Sequence, residues 1–600
     1  MKKPNQRNRL IFALLLALLL PILAACGGGG ETPAGSTGEQ ATSAAPAGGE
    51  TAATAEPAAT AAGSADATAA PGAGGGSAGN VLRVAASTGT WPDTLDPQKA
   101  SFSNEIAVLQ LNYEGLTRYD KDLKTVPAAA EKWEYNSDAT QVTFHLRDGL
   151  KYSDGSPLTA QDFVNAVYRT LDPHSPGDYQ TSLFMIKGAD AIINTEVPTD
   201  EAKLPDLQKA LGVKATDDKT ITFDLAQPTP YFHTLAAIWV MYPAKQDLVS
   251  KGGETWYEDA ANQIGNGPWQ ISSIDKSGNK IEFKANENYW GGKPKLDAVE
   301  YTYIQDLTVA LQAYKNGEVD IMAPDPNDVP TIKSDATLSK EYTEYAGACT
   351  STVSFNLSKP PFNNPKVREA FAYGFDRDGY VRDALKDTEI PTLTWIPPGY
   401  PGYDKAENRF GYDPAKAKAA LAEAGFADGK GLPEIKYTYN SNNPANQARA
   451  EYIVQMYQKS LGVTIVPDPV EGTTLTAMRK SNETYPMITT AGWCADYPDQ
   501  QDWLSIYWHS STSFARDTGY KNADVDKLLE QADVETDAAK RTQLYDQAQK
   551  LVIADVGEMM RSNTKNYYLI KPYVKGLEFT PQDSDVPGQQ TGLFNVTIEK

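Results

Sequence analysis

Residues 486–508 read PMITTAGWCADYPDQQDWLSIYW, and this stretch carries the pattern that decides the fold class of the 600-residue chain. Residues 486–490 are typical of a strand, and residues 503–508 are typical of a helix. The residues between them are therefore predicted to form a strand-to-helix loop. Open α/β sheets usually place their ligand contacts on such loops. The stretch thus predicts an α/β fold and the position of a binding site.

Two aspartates in this loop have different predicted roles. Asp499 stands just before the helix and suits the N-cap, where a carboxylate accepts hydrogen bonds from unpaired backbone N–H groups. Asp496 is then free to face a cleft beside Trp493 and Tyr497. An enclosed carboxylate needs a cationic partner or several donors, and a ligand ammonium group would serve. The alternative is that Asp496 caps the same helix or pairs with a nearby Lys or Arg.

Strand and helix patterns are mixed from Asn80 onward, which indicates α/β lobes rather than a sandwich or a bundle. A capping box at residues 159–162 predicts the start of a helix. Further helices are predicted over 414–424, 444–462 and 525–556, and the last of these is expected to break near Thr536. Strands are predicted over 81–87, 142–146, 220–225, 280–285, 299–304, 352–357, 434–439 and 463–466.

The N-terminus has the pattern of a bacterial lipoprotein signal. A basic start is followed by the apolar run Leu10–Ala25, which is shorter than the roughly 20 residues that a spanning helix needs. The run ends at Leu23-Ala24-Ala25-Cys26, which resembles a lipobox. We therefore expect residues 1–26 to be a signal segment and Cys26 to carry lipid after cleavage. The alternative is an uncleaved anchor helix.

Residues 27–79 consist mainly of Ala, Gly, Thr, Ser and Pro, a composition that cannot bury a core. We expect them to form a disordered tether. A G-x-S-x-G pattern at residues 75–79 lies inside this segment. It lacks the preceding strand and following helix that a catalytic serine turn needs, so it predicts no nucleophile.

The chain has three cysteines, Cys26, Cys349 and Cys494. If Cys26 is lipidated, the other two remain in an oxidising compartment, where a disulfide between them would be stable. The alternative is two separate buried thiols, because spacing alone does not establish a bridge.

Composition and motifs argue against several function classes. The net charge of −22 disfavours nucleic acid and broad docking on an anionic membrane, since both depend on Lys and Arg. Four scattered histidines without an H-E-x-x-H or C-x-x-C motif predict no metal site. Ser273 and Lys276 fit S-x-x-K, but the companion S-D-N and K-T-G motifs are missing. We therefore expect a binding protein that needs no cofactor rather than an enzyme.

A series of short motifs gives the chain a resemblance to a known family. In chain order they are TLDP at 94–97, YEGL at 113–116, FHLRDG at 144–149, SDG at 153–155, LTAQD at 158–162, GNGP at 265–268, NYW at 288–290, GEVD at 317–320, PF at 361–362 and KVREA at 366–370. Together, behind a lipobox, they make the chain resemble the extracytoplasmic solute-binding proteins of ABC transporters, peptide/nickel family (family 5). The family also contains sugar-binding members. GWCADY at 492–497 is most similar to the oligopeptide-binding branch.

The resemblance implies a two-lobed α/β fold of the periplasmic-binding-protein kind. Its lobes are hinged, in a type II-like arrangement, and a small extra domain sits on the first lobe. The expected boundaries are 80–112, 229–348 and 563–600 for lobe I, 113–228 for the extra domain, and 349–562 for lobe II.

The resemblance also implies roles for individual site residues. Asp496 is expected to form a salt bridge with the α-ammonium of a peptide. Gly492, Trp493 and Cys494 are expected to offer backbone groups and ring surface to the peptide main chain. Tyr179 is expected to be a tyrosine of the cleft.

Two further points concern the cysteines and the peptide carboxylate. The resemblance implies that Cys349 pairs with Cys494.

The oligopeptide branch often has an arginine six residues before the aspartate, where it helps to hold the peptide carboxylate. This chain has Thr490 there, so the sequence leaves open how the C-terminus is recognised and which peptide length is preferred.

These expectations combine into one functional hypothesis. The chain would be a monomeric, lipid-anchored protein outside the cytoplasm that captures short peptides and delivers them to the permease of an ABC importer. Lobe closure would signal occupancy to the permease. The alternatives are the same fold with a short sugar or nickel chelate, a surface peptide sensor or chaperone-like receptor, and a secreted hydrolase.

Overall fold

The structure, a computed structural model, describes residues 80–87, 89–583 and 585–600, so the predicted signal segment, Cys26 and the tether lie outside the described residues. The strands are β1 Val81–Ala85, β2 Thr117–Tyr119, β3 Thr125–Pro127, β4 Ala130–Tyr135, β5 Gln141–Leu146, β6 Val213–Asp217, β7 Thr220–Asp224, β8 Trp269–Asp275, β9 Lys280–Ala285, β10 Ala298–Thr302, β11 Ile321–Met322, β12 Tyr342–Phe355, β13 Glu389–Pro391, β14 Ile435–Asn440, β15 Ile465–Val470, β16 Ile488–Cys494, β17 Glu558–Ile570, β18 Val574–Lys575 and β19 Thr597–Ile598.

The α-helices lie between these strands in a mixed α/β order. They are α1 Ser103–Asn112, α2 Ala160–Thr170, α3 Ala189–Ile193, α4 Leu204–Ala210, α5 Phe232–Leu235, α6 Gln246–Gly252, α7 Leu307–Asn316, α8 Val329–Ser334, α9 Leu338–Glu341, α10 Pro365–Tyr373, α11 Arg377–Gly379, α12 Pro414–Glu423, α13 Pro444–Leu461, α14 Gly472–Met478, α15 Gln500–Trp508, α16 Ser513–Thr518, α17 Ala523–Val534 and α18 Ala538–Asp555. Within the described residues, no helix combines the length and apolar character that crossing a membrane requires.

A mixed sheet of eleven strands runs through the described part of the chain. Its order is β15-β14-β16-β12-β17-β11-β1-β10-β9-β8, with β13 paired to β17. The two long strands β12 and β17 pair with each other antiparallel and lie between the β14–β16 side and the β1–β10 side. The sheet therefore connects the two halves of the described chain through these two strands.

The long strands also cross two of the predicted boundaries. β12 contains the step from 348 to 349, and β17 contains the step from 562 to 563. At these two boundaries, the chain would pass from one predicted lobe to the other inside a paired strand rather than in a loop. The boundaries themselves stay a prediction.

A second sheet, antiparallel with the order β4-β5-β7-β6, lies within residues 113–228, the range predicted for the extra domain. In β5 every second residue is buried, as the alternating sequence predicts. Val142, Phe144 and Leu146 join a buried cluster with helix α2. Tyr497 from the loop after β16 also belongs to this cluster, so the opening sequence stretch packs against the region of the second sheet.

The helix signals of the sequence are confirmed. Thr159 and Asp162 form the predicted capping box of α2. Asp413 caps α12 by accepting hydrogen bonds from two backbone N–H groups. The helical run 525–556 is interrupted near Thr536, where Asp537 caps the second helix.

The strand predictions are confirmed in position but not in every length. The predicted strand 352–357 is only the end of β12, which begins at Tyr342. Its first ten residues are mostly half-buried, because they pair with β17 and β16 without a fully buried face. They therefore have no apolar alternation that would have marked them as a strand.

Candidate functional site

The strand that carries the site is longer than its sequence predicts. β16 continues to Cys494, so Gly492, Trp493 and Cys494 belong to the strand rather than to the loop. The reason is tertiary pairing, since β12 runs antiparallel beside β16 from Phe355–Ile488 to Cys349–Cys494.

The predicted disulfide is confirmed. Cys349 and Cys494 stand directly opposite each other in the register, with their Cα atoms 4.0 Å apart, and their sulfurs are bonded. The alternative of two separate thiols is wrong. The bridge fixes the end of β16 to β12 immediately before the loop that holds Asp496.

Past Ile488, the edge of β16 that faces away from β12 pairs with no other strand of the described structure. Just beyond β16, Ala495 N–H donates a hydrogen bond to the carbonyl of Ala348. Because every second residue of an antiparallel strand hydrogen-bonds to the neighbouring strand, Trp493 also directs its backbone groups toward β12. The N–H and C=O groups of Gly492 and Cys494 then point to the opposite edge. On that edge, β14 pairs with β16 only at Ile488 among the described residues. In the part of the chain that the structure describes, Gly492 and Cys494 thus present an unpaired strand edge.

Gly492 is fixed by strand packing as well. Its φ is +152°, and a Cβ atom there would lie 2.2 Å from the carbonyl oxygen of Thr350. A side chain at this position would separate β16 from β12, so the glycine has a structural reason independent of any ligand.

Asp499 has the capping role that its position predicts. Its carboxylate accepts a hydrogen bond from Gln501 N–H at 2.8 Å at the start of α15. Arg541 donates two further hydrogen bonds to it, at 2.8 and 2.7 Å. Asp499 is therefore committed to the protein and is not the acid of the cleft.

Asp496 neither caps the helix nor pairs with a cation. Its carboxylate accepts a hydrogen bond from the hydroxyl of Tyr179 at 3.2 Å. Within residues 80–87, 89–583 and 585–600, it has no ion pair with Lys, Arg or His. Both structural alternatives for this residue are therefore absent from the described structure. Burial raises the pKa of the Asp496 carboxyl to about 6.

A second acid behind Asp496 was missed by sequence reasoning. Asp502 is fully buried in the first turn of α15, where its Oδ2 accepts hydrogen bonds from Asp496 N–H and Trp493 Nε1, both at 3.2 Å. Its Oδ1 is buried without a hydrogen-bond partner in the described structure. Burial raises the pKa of Asp502 well above its ordinary value, and the negative charge of Asp496 raises it further. An acid in a first helical turn is common, so no sequence pattern distinguishes this role of Asp502.

Asp496 opens into a cavity of about 360 Å³. Tyr179, the disulfide of Cys349 and Cys494, and Trp239 line it as well. The rings of Tyr179 and Trp239 pack edge to face with their centroids 4.8 Å apart, which gives the cavity an aromatic wall. A small cavity with aromatic walls and one carboxylate suits a cationic group attached to a short apolar body.

The predicted site residues are thus brought together only in part. Tyr179, Cys494 and Asp496 line one cavity. Gly492 lines a neighbouring cavity of about 780 Å³ further back along β16. The Trp493 ring packs against other aromatic side chains, while its indole N–H orients Asp502.

Residues 124–515 match the family described as bacterial extracellular solute-binding proteins, family 5 Middle. The chain belongs to this family. Within the described residues, no group of three or more His, Cys, Asp or Glu is placed to hold a metal ion.

Relatives of this family 5 protein bear names of binding proteins rather than enzymes. It is 31% identical over 482 residues to the oligopeptide-binding protein OppA of Bacillus subtilis, covering 78% of this chain and 85% of the relative. It is also 31% identical to the probable deoxycholate-binding periplasmic protein YgiS of Escherichia coli, covering 82% of this chain and 90% of the relative.

A solved structure from the same family has the same fold. The murein tripeptide binding protein MppA of Escherichia coli superposes with a TM-score of 0.68 at 28% identity, covering 87% of this chain and 99% of MppA. The mixed α/β architecture is therefore that of the two-lobed periplasmic peptide-binding proteins, as the family resemblance implies.

The raised pKa of Asp496 predicts how pH affects stability. The folded protein binds this proton more tightly than the unfolded chain, whose aspartates titrate near pH 3.9. The resulting stabilisation is complete below about pH 4 and is lost as the pH rises through about 6. Asp496→Asn should therefore stabilise the ligand-free protein at pH 7.5 by about 3 kcal/mol and have little effect at pH 4.

Urea unfolding at the two pH values measures this difference. Asp218→Asn, in the exposed turn between β6 and β7, is the matched control for loss of one carboxylate and should not change the free energy of unfolding at either pH. An Asp496→Asn variant that is no more stable than the wild type at pH 7.5 would contradict the description of the site.

Proposed function

We propose that this family 5 protein captures short peptides and that Asp496 binds their α-ammonium group. The observation that supports this most directly is a carboxylate that faces a cavity and has no cation of the described residues paired with it. A partly buried carboxylate is stabilised when a cation approaches, and an α-ammonium also has three N–H donors for its oxygens.

The open edge of β16 supports a peptide rather than another amine. An extended peptide can add to an exposed strand edge through its own N–H and C=O groups. Gly492 and Cys494 offer these groups on the edge next to Asp496. Main-chain pairing does not depend on side chains, so the protein would accept many peptide sequences with the ammonium fixing their direction.

Closure of two lobes would complete the site. Tyr179 reaches Asp496 from a segment 317 residues earlier in the chain, inside the range proposed as the extra domain of lobe I. Asp496 belongs to the proposed lobe II, and β12 and β17 would connect the two proposed lobes. Bending at these strands would open the site by separating Tyr179 from Asp496, and closing around a peptide would restore this hydrogen bond and remove water from the ammonium pair.

The cellular role extends this proposal. The protein would act outside the cytoplasm as a monomer, anchored by lipid on Cys26 and lifted from the membrane by residues 27–79. It would deliver peptides to the permease of an ABC importer. The relatives named for oligopeptide binding and the lipobox-like sequence support this role.

A second candidate ligand comes from the relative named for probable deoxycholate binding. A bile acid carries a carboxylate and no ammonium. Beside Asp496 it would leave the buried carboxylate unpaired and add a like charge, which is unfavourable. The chemistry of the cavity therefore supports the peptide over the bile acid.

The proposal predicts what the purified protein contains. Protein isolated without denaturation should release mixed short peptides with free N-termini when it is unfolded, and mass spectrometry would detect them. Added tri- to pentapeptides should raise the melting temperature of protein stripped of ligand. Recovery of a sugar, a nickel chelate or a bile acid, with no thermal shift on adding peptides, would contradict the proposal.

The lipid anchor predicts a covalent product. Cells grown with an alkyne-labelled fatty acid should incorporate it into the wild-type protein and not into Cys26→Ser, because only that thiol would accept the lipid. The Cys349→Ser/Cys494→Ser double variant is the control and should keep the label. A wild-type protein that stays unlabelled and retains Met1 would contradict the anchor.

A further inference from the structure

The disulfide of Cys349 and Cys494 lies in the wall of a cavity rather than in a core. Both cysteines line the cavity of about 360 Å³ that Asp496 faces. Cys494 is exposed and Cys349 is half-buried, although cysteine is among the residue types most often found fully buried. A molecule that enters the cavity therefore reaches the bonded sulfurs.

The disulfide projects from one face of β16. Side chains of a strand alternate between its two faces, and the Trp493 ring packs against Tyr507 and Phe514 on one of them. Cys494, one residue further, projects from the other face and meets Cys349 across the ladder. A strand that is added on the open edge and pairs with Cys494 would place the paired side chain on this same face.

The proposed peptide position brings one of its residues beside Cys494. A peptide whose ammonium lies at Asp496 and whose main chain follows β16 back toward its start runs antiparallel to that strand. The backbone groups of Cys494 point to the open edge, so the facing residue forms a hydrogen-bonded pair with its Cα about 5.5 Å away. This is also a common Cα separation for two bonded cysteines.

The distance from Asp496 decides which peptide residue faces Cys494. Cys494 precedes Asp496 by two residues, which is about 7 Å of extended chain. An extended peptide covers the same distance in about two residues. The facing residue is therefore the second or third of the peptide.

Cys494 lies between Cys349 and the facing peptide residue. In thiol–disulfide exchange a thiolate attacks one sulfur of the bond while the other sulfur leaves. A peptide cysteine on the open edge would approach the Cys494 sulfur from one side, with the Cys349 sulfur bonded on the other. The order of the three strands thus aligns the attacking and leaving sulfurs.

We propose that this disulfide exchanges with the thiol of a bound cysteine-containing peptide. The peptide thiolate bonds to the Cys494 sulfur, the Cys349–Cys494 bond breaks, and Cys349 leaves as a thiolate that takes up the proton lost by the peptide thiol. The products are a mixed disulfide between the peptide and Cys494 and one free thiol at Cys349. The disulfide itself is the oxidant, so no other redox partner takes part.

Peptide binding makes the exchange selective. The exchange rests on the proposed function, because only a peptide placed along β16 holds its thiol beside the disulfide at a high effective concentration. Its ammonium also offsets the negative charge of Asp496, which would otherwise repel a thiolate. The free Cys349 thiol stays next to the mixed disulfide and attacks it in return, so the capture is reversible.

Tetrapeptides with a single cysteine test the exchange. Protein stripped of ligand is incubated without oxygen with tetra-alanine in which cysteine replaces each position in turn, and free thiols are then trapped with iodoacetamide. Mass spectrometry should find one peptide on Cys494 and one carbamidomethyl group on Cys349. Cysteine at the second or third position should react at least about tenfold faster than at the first or fourth.

Matched controls separate directed exchange from ordinary thiol chemistry. At peptide concentrations below saturation, N-acetylation of the fastest peptide should slow the adduct at least about tenfold, and so should Asp496→Asn with the free peptide. β-Mercaptoethanol at the same concentration should also react at least about tenfold more slowly. Cys349→Ser has no disulfide to break and should form no adduct without oxygen.

The outcomes for the exchange and for the proposed function are distinct. If the serine counterparts of the peptides bind by calorimetry and no cysteine peptide forms an adduct, the exchange alone is overturned. Equal rates at the four positions, a fastest rate at the first or fourth, or a rate that N-acetylation leaves unchanged would also overturn it. If no serine or cysteine peptide binds, the proposed function fails together with the exchange.

Discussion

The antiparallel pairing of β12 with β16 is the interaction on which the site depends. It extends β16 to Cys494, places that residue opposite Cys349 for the disulfide, and directs Gly492 and Cys494 to the open edge. Because the two strands alternate in a fixed register, a shift by one residue would direct the backbone groups of Trp493 to this edge instead. The close approach at Gly492, where no Cβ fits, holds the strands in this register.

Two neighbouring acids that follow the end of β16 are energetically unfavourable in their charged forms. Asp496 and Asp502 lie next to each other, one facing the cavity and one fully buried, with no basic side chain of the described structure paired to either. Their pKa values rise because burial disfavours the charged forms. Such a site is destabilising without a ligand, and a cation that enters the cavity relieves the cost.

The fold was predictable where its signals are local. The alternating residues of β5 and the capping Asp413 of α12 predict their elements because burial and capping depend on near neighbours. The first part of β12 was not predictable, since its half-buried polar residues form a strand only through pairing with β17. The cap at Asp499 was predictable for the same local reason as Asp413.

The site was less predictable than the fold. The Tyr179–Asp496 contact joins segments 317 residues apart, and no local pattern reports it. The buried role of Asp502 depends on packing around α15 that the sequence does not show. The two cavities also divide residues that the sequence had grouped, with Gly492 in the cavity lined by Arg479 and Arg516 and Asp496 beside the aromatic wall.

The measurement that tests the central claim most directly is a double cycle by calorimetry. It uses wild type and Asp496→Asn, each with a tetrapeptide and its N-acetyl form. If Asp496 pairs with the α-ammonium, acetylation of the peptide should cost wild type about 2–5 kcal/mol of binding free energy. Asp496→Asn should bind the free peptide more weakly than wild type does, and acetylation should cost this variant almost nothing further. Equal losses in the two proteins, with a coupling energy near zero, would contradict the account.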